Sequence, residues 1–480
     1  MLDNTFNKKE SPLVGMMGGG PGGPLGISGG AKGPSYPDDT FWISIADRGG
    51  WNNEYPENID WDNDGNIYVN SIRYDAGGQG QKGGSFTSFA VDGTRNWQKV
   101  LYRSSIAMED RVIIAELDGD HVYTGGQSNA GVYIAKINKS DGTVDWVRNI
   151  GSNSNPNNMP IAGAIGSDGN PIFLVRWSEG NGEQMYISLD ESNGSTNWST
   201  LVTRNAGSNE TINMDNSHPK IDSSGNIYSV VYASTSYPNY YGGLVKHNSS
   251  GVLQSVSDYQ SSYPNEDQFS DVTIDSSGNK YIAARYKTSG TSVKVCVIKV
   301  NSSDAIQWQT AISSSSNALY PEQIEITPNG SELVIKIDDR QSDKVNAFVK
   351  LNTSDGTEVW KRYLGYYNRD LSGSSGRMRL NRNGNIINLT TFYHSGLDKT
   401  YVITAQLPGD GTGTGTYTPS GYSSFSWAAS TNITVTASQT IFAKQGSSIF
   451  TSGSVTPSNA AYSSTTLANN IQVFTNVAVS

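Results

Sequence analysis

In the stretch "IDWDNDGNIYVN", residues 59–70, apolar side chains stand at alternate positions on both sides of an Asp-Gly-Asn centre, with Ile59 and Trp61 before it and Ile67 and Val69 after it. That is the pattern of two strands, each with one buried face, joined by a short hairpin in which Gly65 supplies a positive φ. The arrangement returns as "AELDGDHVYTG", "IGSDGNPIFLV", "IDSSGNIYSVV", "IDSSGNKYIAA", "ITPNGSELVIK" and "LNRNGNIINLT", centred on Gly119, Gly169, Gly225, Gly278, Gly330 and Gly384. Successive glycines lie 54, 50, 56, 53, 52 and 54 residues apart, a period that belongs to propellers and solenoids.

A second turn follows each first one and leads into a strand that carries tryptophan: Trp97, Trp146, Trp198, Trp308 and Trp360, with Ser255 at that place in the fourth repeat. Each repeat therefore holds four strand-like segments, and four strands make a propeller blade. The recurring tryptophan reads as a packing residue wedged between neighbouring blades, because a large ring fills the gap between twisted sheets. The seventh repeat runs out into "GTGTGTYT" with no such strand, whereas Trp42, 55 residues before Trp97, sits on a strand with no repeat of its own. Residues 40–46 are thus expected to complete the seventh blade and close the ring. The fold class is all-β, a seven-bladed β-propeller of four-stranded antiparallel blades spanning residues 37–410.

Two segments flank it. Residues 1–36 are rich in Gly and Pro with a short apolar patch at Leu13, Val14, Met16 and Met17, the composition of an extended arm ordered by its neighbours. Residues 411–480 are rich in Ser and Thr, and from Thr418 onward Lys444 is the one charged residue. Short alternating stretches such as "NITVTAS" make this segment strand-forming but poor in large apolar groups, which suits a docking or oligomerisation element that pairs with other subunits.

Asp60, Asp62 and Asp64 also occupy the first, third and fifth ligand positions of a calcium-binding loop. Ser71 stands where that loop needs a bidentate carboxylate, a strand follows rather than a helix, and most of the other copies lack the extra aspartates. The turn is the first reading, and the three aspartates remain a candidate metal site.

Composition narrows the function further. Charged residues make up 16% of the chain and the net charge is -10, with no cluster of Lys and Arg, so neither nucleic-acid phosphate nor an anionic membrane is an expected partner. Cys296 alone cannot form an intramolecular disulfide, and its flanks "SVKVCVIKV" read as a buried strand. No secretion signal and no membrane-spanning apolar run stand out, so the chain is expected to be made soluble in a cytoplasm. The four histidines show no metal-ligand spacing, and the acid pairs Glu116 with Asp118 and Asp338 with Asp339 lie beside turns. With no phosphate loop and no nucleophile elbow, neither catalytic residues nor a cofactor are assigned, and the chain reads as a non-enzyme. The connections "NNEYPENID", "SSYPNEDQF" and "NALYPEQIE" carry Tyr55, Tyr263 and Tyr320 with Glu57, Asp267 and Glu322. These residues form a candidate surface for stacking on sugar rings and binding their hydroxyls.

The doublets "IDSSGNIYSV" and "IDSSGNKYIA", the "KLNTSDGTEVW" strand and the trailing "LPGDGTGTGTYT" together resemble the β-propeller repeat proteins of tailed phages of marine bacteria, including cyanophages. The resemblance covers residues 37 to about 420. It implies a structural virion component of the tail, nozzle or fibre, with other virion proteins, copies of itself and host-surface polysaccharide as partners. The alternative is a propeller enzyme that degrades host-surface glycan.

Overall fold

The computed structural model describes residues 42–46, 51–75, 83–101, 108–128, 131–150, 158–177, 183–202, 212–213, 217–236, 239–262, 267–288, 293–315, 318–339, 345–366, 377–394, 399–417, 425–445 and 465–466. The segment read as an N-terminal arm lies outside them. All regular structure among the described residues is strand, and no helix there is long and apolar enough to cross a membrane.

Seven antiparallel blades form the ring. Blade 2 is representative: Met108–Ala115, His121–Ser128, Gly131–Asn138 and Val144–Ile150 pair consecutively from the axis outward. The first hairpin of each blade follows from its sequence. In blade 1 the Asp62 carboxylate accepts from the Asp64 amide (3.1 Å), the Asn66 amide (2.9 Å) and the Tyr68 hydroxyl (2.8 Å), while Gly65 takes φ +83°. Asp222 and Asp275 make the same set of bonds in blades 4 and 5, to the amides of Ser224 and Asn226 with the Tyr228 hydroxyl, and to those of Ser277 and Asn279 with the Tyr281 hydroxyl. The repeated Asp-x-x-Gly-Asn-x-Tyr is therefore a turn that locks its own backbone.

The ring closes where the period predicts. Trp42–Ala46 pairs antiparallel with Lys399–Leu407, from Trp42 opposite Gln406 to Ala46 opposite Val402, and so supplies the outermost strand of blade 7. The hydrophobic interior agrees. It consists of seven clusters, one at each interface between neighbouring blades, and the closing cluster joins Ile59, Ile67, Val69 and Phe89 of blade 1 to Ile387, Leu389 and Val402 of blade 7.

The tryptophans are the wedges. Trp97, Trp146, Trp308 and Trp360 are buried, and Trp198 is partly buried. The indole N–H of Trp97, Trp146 and Trp308 donates to a carbonyl of the next blade, that of Lys139, Glu191 and Thr353 respectively. Each ring packs on the positive-φ glycine of that blade's second turn. A Cβ on Gly142 would come within 2.9 Å of Trp97, one on Gly194 within 2.9 Å of Trp146 and one on Gly356 within 2.7 Å of Trp308. In blade 4 Ser255 holds the tryptophan position, opposite Lys246 just as Trp146 is opposite Lys136. The facing turn of blade 5 has no glycine but Asp304, at φ +60°, bonded through its side chain to Ser257 and through its carbonyl to the Tyr259 hydroxyl. Ring and glycine have been exchanged together. The side chain of Trp42 lies outside the described residues.

The C-terminal strands pair with the chain's own blades. Phe425–Ala429 adds a fifth strand to blade 6, Ile433–Thr436 to blade 5, Phe442–Lys444 to blade 4 and Thr465–Thr466 to blade 2, so the chain runs back around the ring against its original direction. Trp427 packs edge-on against Trp360 and Phe348, with ring centroids at 6.2 and 5.7 Å. Phe442 enters the interface of blades 4 and 5, where the tryptophan is missing, beside Phe269 and Tyr286. Buried Gln309 clamps this strap: its amide nitrogen donates to the Phe442 carbonyl (2.9 Å), and its side-chain oxygen accepts from the Ile441 and Phe442 amides. Sequence composition suggested pairing between subunits for residues 411–480. The strands described between 415 and 445 find their partners within the chain.

Candidate functional site

The innermost strands carry a bulge at one recurring place, which sets Glu57, Arg111, Ile161, Ser270 and Glu322 out of the ladder. Near these bulges the axis is filled with polar side chains. His218 of blade 4 meets Asn58 of blade 1 and Gln323 of blade 6: the Gln323 amide nitrogen lies 2.9 Å from His218 Nδ1, and His218 Nε2 lies 3.4 Å from Asn58 Oδ1. Gln323 Oε1 in turn accepts from the Met378 amide, so its side-chain nitrogen is the group turned toward Nδ1, while Nε2 also lies 3.3 Å from the Asn58 amide nitrogen. Asp271 accepts from the His218 and Ile324 amides, and burial pushes its carboxyl up to about 6.

One layer further along the axis, toward the glycine turns, lies a ring of charges. Lys220 Nζ and Arg379 Nη1 each lie 2.6 Å from Glu325 Oε1, and Arg379 Nε lies 3.5 Å from Asp60 Oδ1. The repeats place Asp60, Ile114, Ala164, Lys220, Thr273, Glu325 and Arg379 at equivalent positions, five residues before each first-turn glycine. Ile114 and Ala164 break the polar ring over blades 2 and 3. A cavity of about 750 Å³ opens there on the glycine-turn side. Its lining includes Ile114, Ala164, Ile165 and Ile221 with Glu116, Asp118, Asp168 and Glu191. Leu117 at the same rim is 51% exposed.

Glu116, His121 and Glu191 form the one group of metal-ligating side chains with mutually close donor atoms among the described residues, all within 4.8 Å of one another. Glu116 stands where Asp62 stands in blade 1 and is engaged in the same way, accepting from the Tyr123 hydroxyl (2.8 Å) and the His121 amide (3.1 Å). His121 Nε2 pairs with Asp145 at 3.0 Å, and Lys136 binds Glu191.

The sequence-derived candidates are distributed differently. Asp60, Asp62 and Asp64 do not share a site: Asp60 faces Arg379 and the Ala115 amide, Asp62 closes its turn and meets Lys139 at 3.3 Å, and Asp64 is exposed. The proposed sugar-binding acids are buried rather than displayed. Glu57 pairs with Arg111 (3.1 Å), Glu322 faces Lys336 (3.5 Å), and Asp267 accepts from the Ser261 amide and hydroxyl. Burial raises the carboxyl pKa of Glu57 and Glu322 and pushes that of Asp267 up to about 7. The bulge accounts for Glu57 and Glu322, because an extra residue in a strand re-aims its side chain. Tyr320 is half-buried with the Arg285 guanidinium 5.4 Å from its ring centre. Tyr263 and the side chain of Tyr55 lie outside the described residues. The cavity was missed by composition, but aligning the repeats on their glycines exposes it, since Ile114 and Ala164 are the apolar members of the axial ring.

No family model matches the chain, and no curated protein matches it. Among solved structures it is similar to the Dos1 propeller (8% identity, TM-score 0.44, covering 82% of this chain and 93% of that one). It is also similar to the WD40 domain of SCAP from fission yeast, with 9% identity, a TM-score of 0.39 and coverage of 77% and 99%. A third is a putative 6-phosphogluconolactonase from Bacteroides uniformis, with 15% identity, a TM-score of 0.42 and coverage of 66% and 85%. These are likenesses of the propeller fold.

Proposed function

We propose that the chain is a non-catalytic interaction scaffold and that it serves as a tail-associated structural component of a phage particle, its propeller meeting other proteins or host-surface glycan. The observation that supports a scaffold is the state of the axial carboxylates. Glu57, Asp60, Glu322 and Glu325 each face Arg or Lys, and Asp271 is held by two backbone amides, so the axis is a set of matched charges and hydrogen bonds. Carboxylates paired in this way hold strands in place, which is a structural use of charge. The particle assignment rests on the resemblance of the repeats. Mass spectrometry of purified particles tests it: the polypeptide should be present at stoichiometric abundance, and its absence would overturn the assignment.

One observation favours an enzyme that cuts host-surface polysaccharide. Glu116 and Glu191 bring carboxylate oxygens within 4.8 Å of one another at an open cavity, close to the separation of about 5 Å used by retaining glycosidases. Against this, the Glu191 side chain is 43% exposed and bound by Lys136, the opposite of the dry setting that keeps a general acid protonated. Incubation with host-surface polysaccharide should release no new reducing ends. Release that disappears in Glu116→Gln would establish the enzyme instead.

A further inference from the structure

We infer that the cavity over blades 2 and 3 is a docking site for a basic, partly apolar segment of a partner protein, one that inserts a Lys or Arg side chain flanked by apolar residues. The inference rests on the scaffold reading and names the chemistry of the partner.

Charge bookkeeping decides the sign of the ligand. The axial wall of the cavity is balanced, because Lys220 and Arg379 are both engaged by Glu325 and Arg379 also faces Asp60. Glu191 is matched by Lys136. On the outer rim, Asp118 is bonded to the Asn63 amide group (2.6 Å) and Asp168 to that of Asn170 (2.8 Å), and among the described residues neither forms an ion pair. Glu116, beside them, accepts from the Tyr123 hydroxyl and the His121 amide and has His121 Nδ1 at 3.5 Å, but its carboxylate forms no ion pair with Lys or Arg among the described residues. Three carboxylates thus face the opening with no Lys or Arg set against them.

The floor decides what must accompany the charge. Ala164, Ile165 and Ile221 present a partly exposed apolar surface, with Ile114 buried in the core between blades 2 and 3, and Leu117 is one of three large hydrophobic side chains among the described residues that are strongly exposed. A bare inorganic cation would leave that surface wet. A Lys or Arg side chain buries a methylene stem on it while its head reaches the carboxylates, and flanking apolar residues cover Leu117. The cavity of about 750 Å³ is large enough for a side chain with its neighbours and too open to enclose a small metabolite completely.

The test uses the full chain and three fluorescein-labelled hexapeptides: Leu and Arg alternating, the same peptide with citrulline for Arg, and a Ser and Arg alternating peptide, titrated by fluorescence anisotropy. The Leu-Arg peptide should bind and weaken as salt is raised, and the other two should bind at least about fivefold more weakly, as expected when charge and apolar contact both contribute. Asp118→Asn combined with Asp168→Asn, both at exposed turn positions, should weaken the Leu-Arg peptide by about fivefold or more. Ala164→Phe, which fills the floor without changing charge, should abolish binding. Equal affinity for the citrulline peptide, or for wild type and the double Asn variant, would overturn the inference. So would tighter binding of the Ser-Arg peptide, which would leave a nonspecific acidic surface. Failure here does not touch the scaffold reading, which stands or falls on the particle and polysaccharide experiments.

Discussion

At the scale of single residues, the turn aspartates test whether a metal or the chain's own donors satisfy the carboxylate. Asp62→Ala removes an acceptor used by two amides and Tyr68, and should cost about 2 kcal/mol in urea unfolding, as expected for buried donors left without a partner. The wild-type melting temperature should be the same in excess calcium and in chelator; a rise with calcium would restore the metal reading. Asp110 gives a prediction in pH. Its carboxyl is buried, takes a bond from the Tyr133 hydroxyl and is pushed up to about 7 from an ordinary 3.8. A raised carboxylate pKa means the folded state holds its proton where the unfolded chain has released it. That group's contribution is therefore fully favourable below the unfolded pKa of 3.8 and is lost as pH rises toward 7. Asp110→Asn should gain stability relative to wild type by a few kcal/mol between about pH 4 and pH 7, read by denaturant midpoints at each pH. A constant difference across that range would contradict it. The glycine of each first turn, and the aspartate that locks it in blades 1, 4 and 5, were legible in the sequence because their role is local. The burial of Glu57 and Glu322 was not, because it depends on a one-residue bulge that hydrophobic alternation does not mark.

At the scale of elements, the exchange of tryptophan and glycine at blades 4 and 5 predicts coupling. Ser255→Trp should destabilise, since the new ring meets Asp304 and its partners, and Asp304→Gly should destabilise by removing the bonds to Ser257 and Lys280. Together they should recover at least about 1 kcal/mol of the summed loss in a double-mutant cycle, and simple additivity would sink the argument. The C-terminal strap offers a second measurement. Lys444 is the single tryptic site after residue 417, and Gln309 holds the backbone at Ile441 and Phe442. Gln309→Ala should leave buried amides without acceptors, cost about 2–4 kcal/mol locally and speed cleavage after Lys444. An unchanged rate would mean that the clamp does not hold the strap. The strand character of this segment could be read from its alternation. Its partners could not, since the edges it covers belong to repeats from about sixty to more than three hundred residues earlier and edge pairing leaves no pattern on the receiving strand.

At the scale of the molecule, the account depends on a ring that closes. Wedge-shaped clusters between blades transmit packing from each blade to the next, so an open seventh interface would leave Ile59, Val69, Leu389 and Val402 without their mutual cover and blade 7 with an unpaired edge. A rigid frame also holds the rim of blades 2 and 3 in place, as the docking inferred there requires. The number of blades and the place of closure were both legible, because Trp42 kept the tryptophan period in a strand with no repeat of its own. The measurement that bears most directly on this is a cross-link between Ser44→Cys and Thr404→Cys, residues that face each other in the closing pair while the native Cys296 is buried. Mild oxidation of the folded protein should form an intramolecular disulfide in high yield and raise the melting temperature, since the bond closes a loop of nearly the whole propeller. No cross-link, or one that appears only between two chains on a non-reducing gel, would contradict the closed seven-bladed ring.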